Sequence, residues 1–257
     1  MSSLRARCPD CRTLTAVAIG REYQCHSCGR EFGAGLVRVP RAWGEGGEAM
    51  ADAALRLALP FPDAAVIEED TLEAQRRATV VNLPHRPLVL GGCCCAHVGA
   101  VEGLAGAAGG RLALVWLDAH GDLNTPASSP TGNVWGMPLR MLLDGGAVAA
   151  EDVALVGARN LDPPEVDFMA ETGIDDDVER ALAGAERVYV ALDVDVLAPA
   201  ELSMFMPEPE GPSLGEIESL LREIVTRVTL AGAGITAALP DPSNEPKLAR
   251  LASALGL

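Results

Sequence analysis

The amino-acid sequence predicts a three-layer αβα fold on a mainly parallel sheet, preceded by a small N-terminal zinc ribbon. Three observations support this. Apolar runs alternate with helical segments from about residue 35, polar clusters follow those runs, and two C-x2-C pairs precede them. Continuous apolar strands separated by helices are typical of parallel sheets covered on both faces. We therefore expect a zinc-ribbon-like segment over 1–33 and an α/β domain over 34–257.

The composition agrees with one large globular domain carrying a small attachment. The chain has 257 residues, 49% hydrophobic and 22% charged, and can bury a full core without disulfide bonds. The formal net charge is −16; the first 33 residues carry +2, so the remainder carries −18. Because this acidity repels phosphate groups, we expect no nucleic-acid partner and no membrane partner.

The start of the chain, MSSLRARCPD, has no apolar region of the kind found in secretory signals. The longest apolar run, 228–239, is interrupted by two glycines and is shorter than a membrane span. We therefore expect a cytoplasmic protein.

The first four cysteines have the spacing C-x2-C-x13-C-x2-C, which is typical of a zinc ribbon. These candidate ligands of one structural Zn²⁺ are Cys8, Cys11, Cys25 and Cys28. The intervening segment, 13–23, alternates enough to form a hairpin. The alternatives are redox C-x-x-C sites, which usually lie between a strand and a helix, or plain buried thiols. Zinc would stabilise this unit directly, because about 30 residues cannot bury a core.

Seven apolar runs are expected to form the strands, in the order 36–40, 64–67, 87–90, 112–117, 153–156, 188–192 and 234–239. Eight further segments have helical patterns: 45–58, 71–82, 97–109, 136–144, 163–172, 176–184, 214–228 and 243–255. Because ligands of such sheets collect at the carboxyl ends of the strands, functional side chains should follow the apolar runs.

Carboxylates and a histidine do follow two of these runs. Asp118, His120 and Asp122 form D-x-H-x-D after 112–117, and Asp193 and Asp195 form D-x-D after 188–192. Carboxylates gathered at one edge repel one another unless cations bind between them. Oxygen-rich ligation with one imidazole suits Mn²⁺, Mg²⁺ or Zn²⁺. Taken singly, each Asp could instead cap a helix, and the histidine could be a hydrogen-bonded core residue.

At these motifs the chain resembles the ureohydrolase family of arginase, agmatinase and formimidoylglutamase, as a divergent arginase-like member. WLDAHGDLNTP and ALDVDVLAP carry the resemblance, which covers about 35–257. It implies an arginase-like α/β domain that hydrolyses a C–N bond of a linear amidine, a guanidino compound, releasing urea through a metal-bridged hydroxide. It further implies a homo-oligomer, a trimer or a hexamer.

The resemblance also implies a pair of divalent metals, Mn²⁺ by family, with five ligands: Asp118, His120, Asp122, Asp193 and Asp195. Asp122 would in addition be the catalytic residue that orients the hydroxide.

The loop after the first motif resembles the arginase loop that binds an amino acid's α-carboxylate. By this resemblance Asn124, Thr131 and Asn133 supply neutral donors, and Asp162 lies near the α-amino group. The alternative is a simple polar turn, which the same composition would produce.

One departure from the family falls on a metal ligand. The string GGCCC places Cys94 where the family has a histidine. A thiolate is softer than imidazole and would favour Zn²⁺ or Fe²⁺ over Mn²⁺. The alternatives are that Cys94 is only a small buried residue, or that His97, one helical turn on, takes its place.

Three further departures from the family concern positions that the resemblance places in the reaction or near it. Trp135 replaces a histidine that moves protons, and an indole cannot do acid–base work. Leu239 stands at the position of a guanidinium-pairing glutamate, and Ala198 replaces an outer aspartate. The alternative function is therefore a catalytically impaired arginase-fold protein that binds a metal or ligand, or regulates a partner.

Overall fold

The computed structural model describes residues 5–6, 8, 10–11, 13–19, 22–33, 35–107 and 110–257. They form a four-stranded antiparallel sheet followed by a seven-stranded sheet with eight helices. Within the described part of the chain, no helix is long and apolar enough to cross a membrane.

The N-terminal sheet is the ribbon. Its strands, in order across the sheet, are β1 (Arg5–Ala6), β2 (Ala16–Ile19), β3 (Glu22–Cys25) and β4 (Glu31–Gly33). The hairpin expected over 13–23 is formed by β2 and β3, and its residues 20 and 21 lie outside the described residues. Its small core includes Tyr23 and Phe32, whose rings stack with centroids 5.6 Å apart.

The larger sheet is parallel throughout, in the order β6-β5-β7-β11-β10-β8-β9. Its strands are β5 (Leu36–Val39), β6 (Asp63–Val66), β7 (Leu88–Gly91), β8 (Leu112–Leu117), β9 (Val153–Val156), β10 (Arg187–Asp193) and β11 (Thr229–Thr236). All seven predicted strands are present, but the prediction of 234–239 for the last was wrong. β11 pairs with the whole of β10 and ends at Thr236, because Ala237 has a φ of +61°, outside the extended region.

Eight helices surround this sheet: α1 (Glu48–Arg56), α2 (Leu72–Asn82), α3 (Cys95–Gly106), α4 (Pro138–Asp144), α5 (Pro163–Thr172), α6 (Val178–Leu182), α7 (Leu214–Arg227) and α8 (Asn244–Ala254). Helix α3 begins two residues earlier than expected, since a turn from Cys93 to Ala96 (2.9 Å) leads into it. The expected end of α3 at 108–109 lies outside the described residues.

The side chains of β10 show how the three layers are built. Val188, Val190 and Leu192 join one apolar cluster, and Tyr189 and Ala191 join the other. This alternation sends successive residues to opposite faces of the sheet. Helices α1, α7 and α8 contribute to the first cluster, and α3 and α4 to the second. The fold is therefore the predicted αβα sandwich.

The strand order determines which side chains meet at the carboxyl edge of the sheet. Strands β7, β11, β10 and β8 are consecutive neighbours. Cys94 follows β7, Thr236 ends β11, Asp193 ends β10 and Asp118 follows β8. Residues far apart in sequence thus lie side by side where parallel α/β sheets bind their ligands.

Candidate metal centre

Two overlapping groups of potential metal ligands lie at this edge. The thiol subsite consists of Cys94, Asp118 and Asp193, and the imidazole subsite consists of Asp118, His120 and Asp195. Within each group the ligand atoms lie within 4.8 Å of one another. Because the Asp118 carboxylate belongs to both, the arrangement suits two neighbouring cations that share one ligand.

Short turns at the strand ends hold the carboxylates in place. Asp118 Oδ1 accepts from the backbone N of His120 at 2.7 Å, and Asp193 Oδ1 accepts from that of Asp195 at 3.0 Å. The Ala119 amide donates to Asp195 Oδ1 at 3.0 Å, which ties the two motifs together. One oxygen of each carboxylate is thereby oriented by backbone.

The buried carboxylates repel one another. Burial, followed by the charge of Asp195, raises the pKa of Asp193 to about 7. Burial and the charge of Asp118 raise the pKa of Asp195 to about 6. The pKa values of Asp118 and Asp122 are raised for the same reasons. Keeping these groups ionised at neutral pH therefore requires compensating positive charge, which divalent cations would supply.

The thiol subsite has the donor set of a soft cation site. Cys94 Sγ donates to Asp193 Oδ2 at 2.9 Å and lies 3.6 Å from Asp118 Oδ2. Burial and the charge of Asp193 raise the pKa of this thiol, so its proton bridges the two ligands. One thiol with two carboxylates fits Zn²⁺ or Fe²⁺ better than Mn²⁺.

His120 belongs to the imidazole subsite through Nδ1, which lies 2.9 Å from Asp195 Oδ2 and 3.5 Å from Asp118 Oδ1. Although burial lowers it, the hydrogen bonds to these carboxylates raise the pKa of His120 to about 12. A cation between the three side chains would displace that proton and leave Nδ1 as a ligand.

Asp122 belongs to neither three-residue group but lies in the wall of the same cavity. Its side chain is buried, and Oδ2 has no hydrogen-bond partner among the described residues. Its φ of +53° is unusual for a residue with a side chain. The cavity wall therefore includes a residue with a buried carboxylate oxygen that has no partner among the described residues, as a residue that a bound cation or water completes would have.

His97 is not a ligand, so its suggested replacement of Cys94 is wrong. Its Nδ1 lies 3.1 Å from Tyr189 Oη and its Nε2 lies 3.4 Å from Thr236 Oγ1. The His97 ring, on helix α3, packs edge-on against the Trp116 ring. Both ring nitrogens are thus engaged within the protein interior.

The candidate metal ligands line a cavity of about 230 Å³. All four residues predicted to bind substrate line it: Asn124, Thr131, Asn133 and Asp162. Asn124 Nδ2 donates to Asp162 Oδ2 at 2.8 Å, and Asn133 Oδ1 accepts from the Glu45 amide at 3.0 Å. The polar loop is therefore anchored beside the metal ligands.

Another part of the cavity wall carries large apolar side chains. Trp135 packs edge-on against Phe205, with centroids 5.5 Å apart, and Met50 and Met206 lie nearby in the wall. The chain makes room for the indole at Gly44, where a Cβ would overlap the ring. Trp135 is thus an integral part of the cavity.

A sequence model described as the arginase family matches residues 56–256 of this chain. The chain belongs to the arginase family. Arginase of Brevibacillus brevis is 30% identical over 220 residues, which cover 74% of this chain and 74% of that protein. Arginase of Staphylococcus aureus strain COL is 34% identical over 143 residues, 45% of this chain and 47% of that protein. The chain spans about half the length of the S. aureus relatives that it matches.

Solved structures agree on the arginase fold. Arginase of Bacillus subtilis has a TM-score of 0.74 at 22% identity, covering 86% of this chain and 97% of that one. Native arginase of Bacillus caldovelox has a TM-score of 0.66 at 26% identity, covering 87% and 98%.

This arginase-family chain has Ala237 in the cavity wall, whereas Leu239 packs against the core and is not among the described lining residues. The predicted placement of Leu239 at the glutamate position is therefore not reflected in the cavity. The assignment of Leu239 to the position of a guanidinium-pairing glutamate stays a prediction.

Several residues of the site were missed in the sequence. Thr236 contacts two metal-ligand candidates, Glu208 Oε1 lies 3.6 Å from His120 Nε2, and Glu165 accepts from the Leu123 amide at 3.0 Å. Thr236 lies in the middle of the predicted strand 234–239, whereas functional side chains were expected after that strand, so the expectation did not include it. Glu208 follows no apolar run, and Glu165 has only the local pattern of a helix capping box with Asp162, which does not indicate a functional site.

The ribbon brings its four predicted zinc ligands together as well. The sulfurs of Cys8, Cys11, Cys25 and Cys28 lie within 4.8 Å of one another. The Thr15 hydroxyl, 3.5 Å from Cys25 Sγ, is the main cause that lowers the pKa of that thiol to about 5. Four converging sulfurs with one thiol this acidic fit a tetrahedral Zn²⁺ site.

Proposed function

We propose that this chain is a metal-dependent hydrolase of a C–N bond in a linear amidine, a guanidino compound with an amino-acid-like end, and that it releases urea. The observation that carries the proposal is the pair of ligand groups sharing Asp118 at the base of a cavity with a polar loop in its wall. We expect two divalent cations there: Mn²⁺ by family, or Zn²⁺ or Fe²⁺ because of Cys94.

The bound cations would act as Lewis acids and lower the pKa of water enough to supply a nucleophile near neutral pH. The chain would contribute Asp122, a residue of the cavity wall whose Oδ2 has no hydrogen-bond partner among the described residues and could accept one from the attacking water. That hydrogen bond would orient the water, and this role does not require Asp122 to be the sole ligand of a cation.

The polar loop would hold the far end of the substrate. Asn124, Thr131 and Asn133 carry neutral donors suited to a carboxylate, and the Asp162 carboxylate suits an ammonium group. Asp162 Oδ2 now accepts from Asn124, so an incoming ammonium would compete for the same oxygen. Such two-ended binding would place the scissile carbon over the metal ligands.

Trp135 favours a second candidate function. An indole cannot donate a proton to a departing amine, and by the resemblance Leu239 stands at the position of a guanidinium-pairing glutamate. The second candidate is a catalytically impaired family member that binds the metal and ligand, and uses the ribbon as a partner contact. It predicts thermal stabilisation by a guanidino ligand without product.

The test is urea release from a panel of guanidino compounds by metal-reconstituted protein, with its metal content measured. Because Asp118 belongs to both subsites, Asp118→Asn should remove the cations of both subsites and lower turnover by at least about 100-fold. Asp144→Asn, on an exposed ion pair of α4, is the matched control and should change neither. Turnover that survives Asp118→Asn would refute the proposal. Absent turnover with both cations bound would favour the second candidate.

A further inference from the structure

A row of buried polar side chains lies behind the thiol subsite. Tyr189 Oη is 3.1 Å from His97 Nδ1, and His97 Nε2 is 3.4 Å from Thr236 Oγ1. Thr236 Oγ1 donates to Asp193 Oδ2 at 3.1 Å and lies 3.3 Å from Cys94 Sγ. The side chains of Tyr189, His97 and Thr236 have no exposed surface. Groups so deeply buried are retained only when their hydrogen bonds are made.

The direction of these hydrogen bonds is determined at the Asp193 end. The Thr236 hydroxyl has a single proton, which it donates to Asp193 Oδ2. Thr236 must then accept from His97 Nε2–H, and Nδ1 must accept from the Tyr189 hydroxyl. Burial keeps the imidazole neutral by lowering the pKa of His97 to about 3. The row therefore forms a series of hydrogen bonds, each donated toward the thiol subsite, that ends on the metal-ligand candidate Asp193.

The fold makes specific room for this row. A Cβ at Gly234 would lie 2.6 Å from both the His97 ring and Tyr189 Oη. Strand β11, which carries Gly234 and Thr236, lies between β7 and β10. This central position lets Thr236 contact both Cys94, which follows β7, and Asp193, which ends β10. The Trp116 indole, packed against His97, donates to Asp118 Oδ2 at 3.2 Å, so the other carboxylate of the subsite is oriented from the same side.

We propose that Thr236, held by His97 and Tyr189, is the positioning residue of the thiol subsite. It sets the orientation of Asp193 and its spacing from Cys94, so that carboxylate and thiolate present their ligand atoms to one cation. The proposal rests on the metal binding proposed above. His97 thus acts on the thiol subsite through the Thr236 hydroxyl and not as a ligand.

The experiment is a Co²⁺ titration of the full chain, followed by the thiolate-to-cobalt charge-transfer absorption. Cys94→Ser provides the reference that removes the contribution of the ribbon thiols, since the difference spectrum isolates the thiol subsite. Thr236→Val removes the hydroxyl and should weaken Co²⁺ binding at this subsite by about 10- to 100-fold. Thr236→Ser keeps the hydroxyl and should restore wild-type affinity and absorption.

Tyr189→Phe tests the far end of the row, because it keeps the ring and removes one hydroxyl. We expect a smaller loss of Co²⁺ affinity, within about tenfold. If Thr236→Val does not fold, this variant and the serine variant decide the question.

The outcomes separate the two proposals. Absence of a Cys94-dependent band in the wild-type chain would mean that the thiol subsite binds no cation, and the proposed function itself would fail there. A wild-type band that Thr236→Val and Tyr189→Phe leave unchanged in affinity and shape would overturn the positioning role alone.

Discussion

Asp122 combines burial, a φ of +53° and a carboxylate oxygen with no hydrogen-bond partner among the described residues. Each of these features costs free energy of folding. Burial and the nearby charge of Asp118 also raise the pKa of its carboxyl. Such a residue makes physical sense where a cation or substrate completes its surroundings, and this one lies in the cavity wall.

We therefore expect Asp122→Asn to stabilise the metal-free protein. The amide removes the buried charge, and Asn tolerates a left-handed backbone well, so the gain should be about 1 kcal/mol. Urea denaturation of chelator-treated protein measures it, with the exposed Asp144→Asn as the control. Cation affinity should fall in the same variant. A metal-free protein destabilised by Asp122→Asn would contradict this account.

At the scale of elements, helices α7 and α8 are joined by an ion-pair cluster. Glu218 of α7 is largely buried and lies 2.6 Å from Arg250 Nε of α8 and 3.2 Å from Arg222 Nη2. Burial alone would raise the pKa of this carboxyl, but the interactions with both guanidinium groups lower it overall. The unfolded chain therefore binds the proton more readily than the folded chain does.

It follows that Glu218 stabilises the fold above its unfolded pKa, and that this stabilisation disappears as pH falls through the lower folded value. Glu218→Gln should cost about 1 kcal/mol at pH 7, since both arginines are partly exposed, and progressively less below about pH 4.5. Denaturation at several pH values measures the difference. Glu223→Gln, at an exposed pair with Arg227, is the control and should show a smaller effect. If the loss of stability in Glu218→Gln did not change with pH, the packing of Glu218 rather than its charge would stabilise the two helices.

At the scale of the whole molecule, the ribbon contacts the end of the α/β unit. Arg30, two residues after the last ribbon cysteine, donates to the carbonyl of Gly256 at 2.7 Å. Arg86 of the α/β unit donates to the same oxygen at 3.2 Å. The division of the chain at residues 33 and 34 stays a prediction, as does a trimeric or hexameric assembly.

We expect Cys25→Ser to remove one zinc per chain and to leave the cations of the thiol and imidazole subsites in place. The ribbon core is small, so without zinc this segment should become sensitive to protease, whereas the α/β unit should melt close to its original temperature. Metal analysis and limited proteolysis measure the two effects. Glu31→Gln on β4 keeps all four thiols and should behave as the wild type. Joint loss of the ribbon zinc and the cations of both subsites would show that the two units do not fold separately.

The amino-acid sequence by itself determined that seven strands and eight helices form, though not the bounds of β11, and it determined the residue types of the candidate metal centre. These features depend on local periodicity and on residues that directly follow a strand, both visible along the chain. The tertiary structure alone decided that β11 lies between β7 and β10, which places Thr236 against Asp193 and Cys94 and turns His97 toward Tyr189. Strand pairing joins residues more than 40 positions apart, and no local pattern encodes which strands become neighbours.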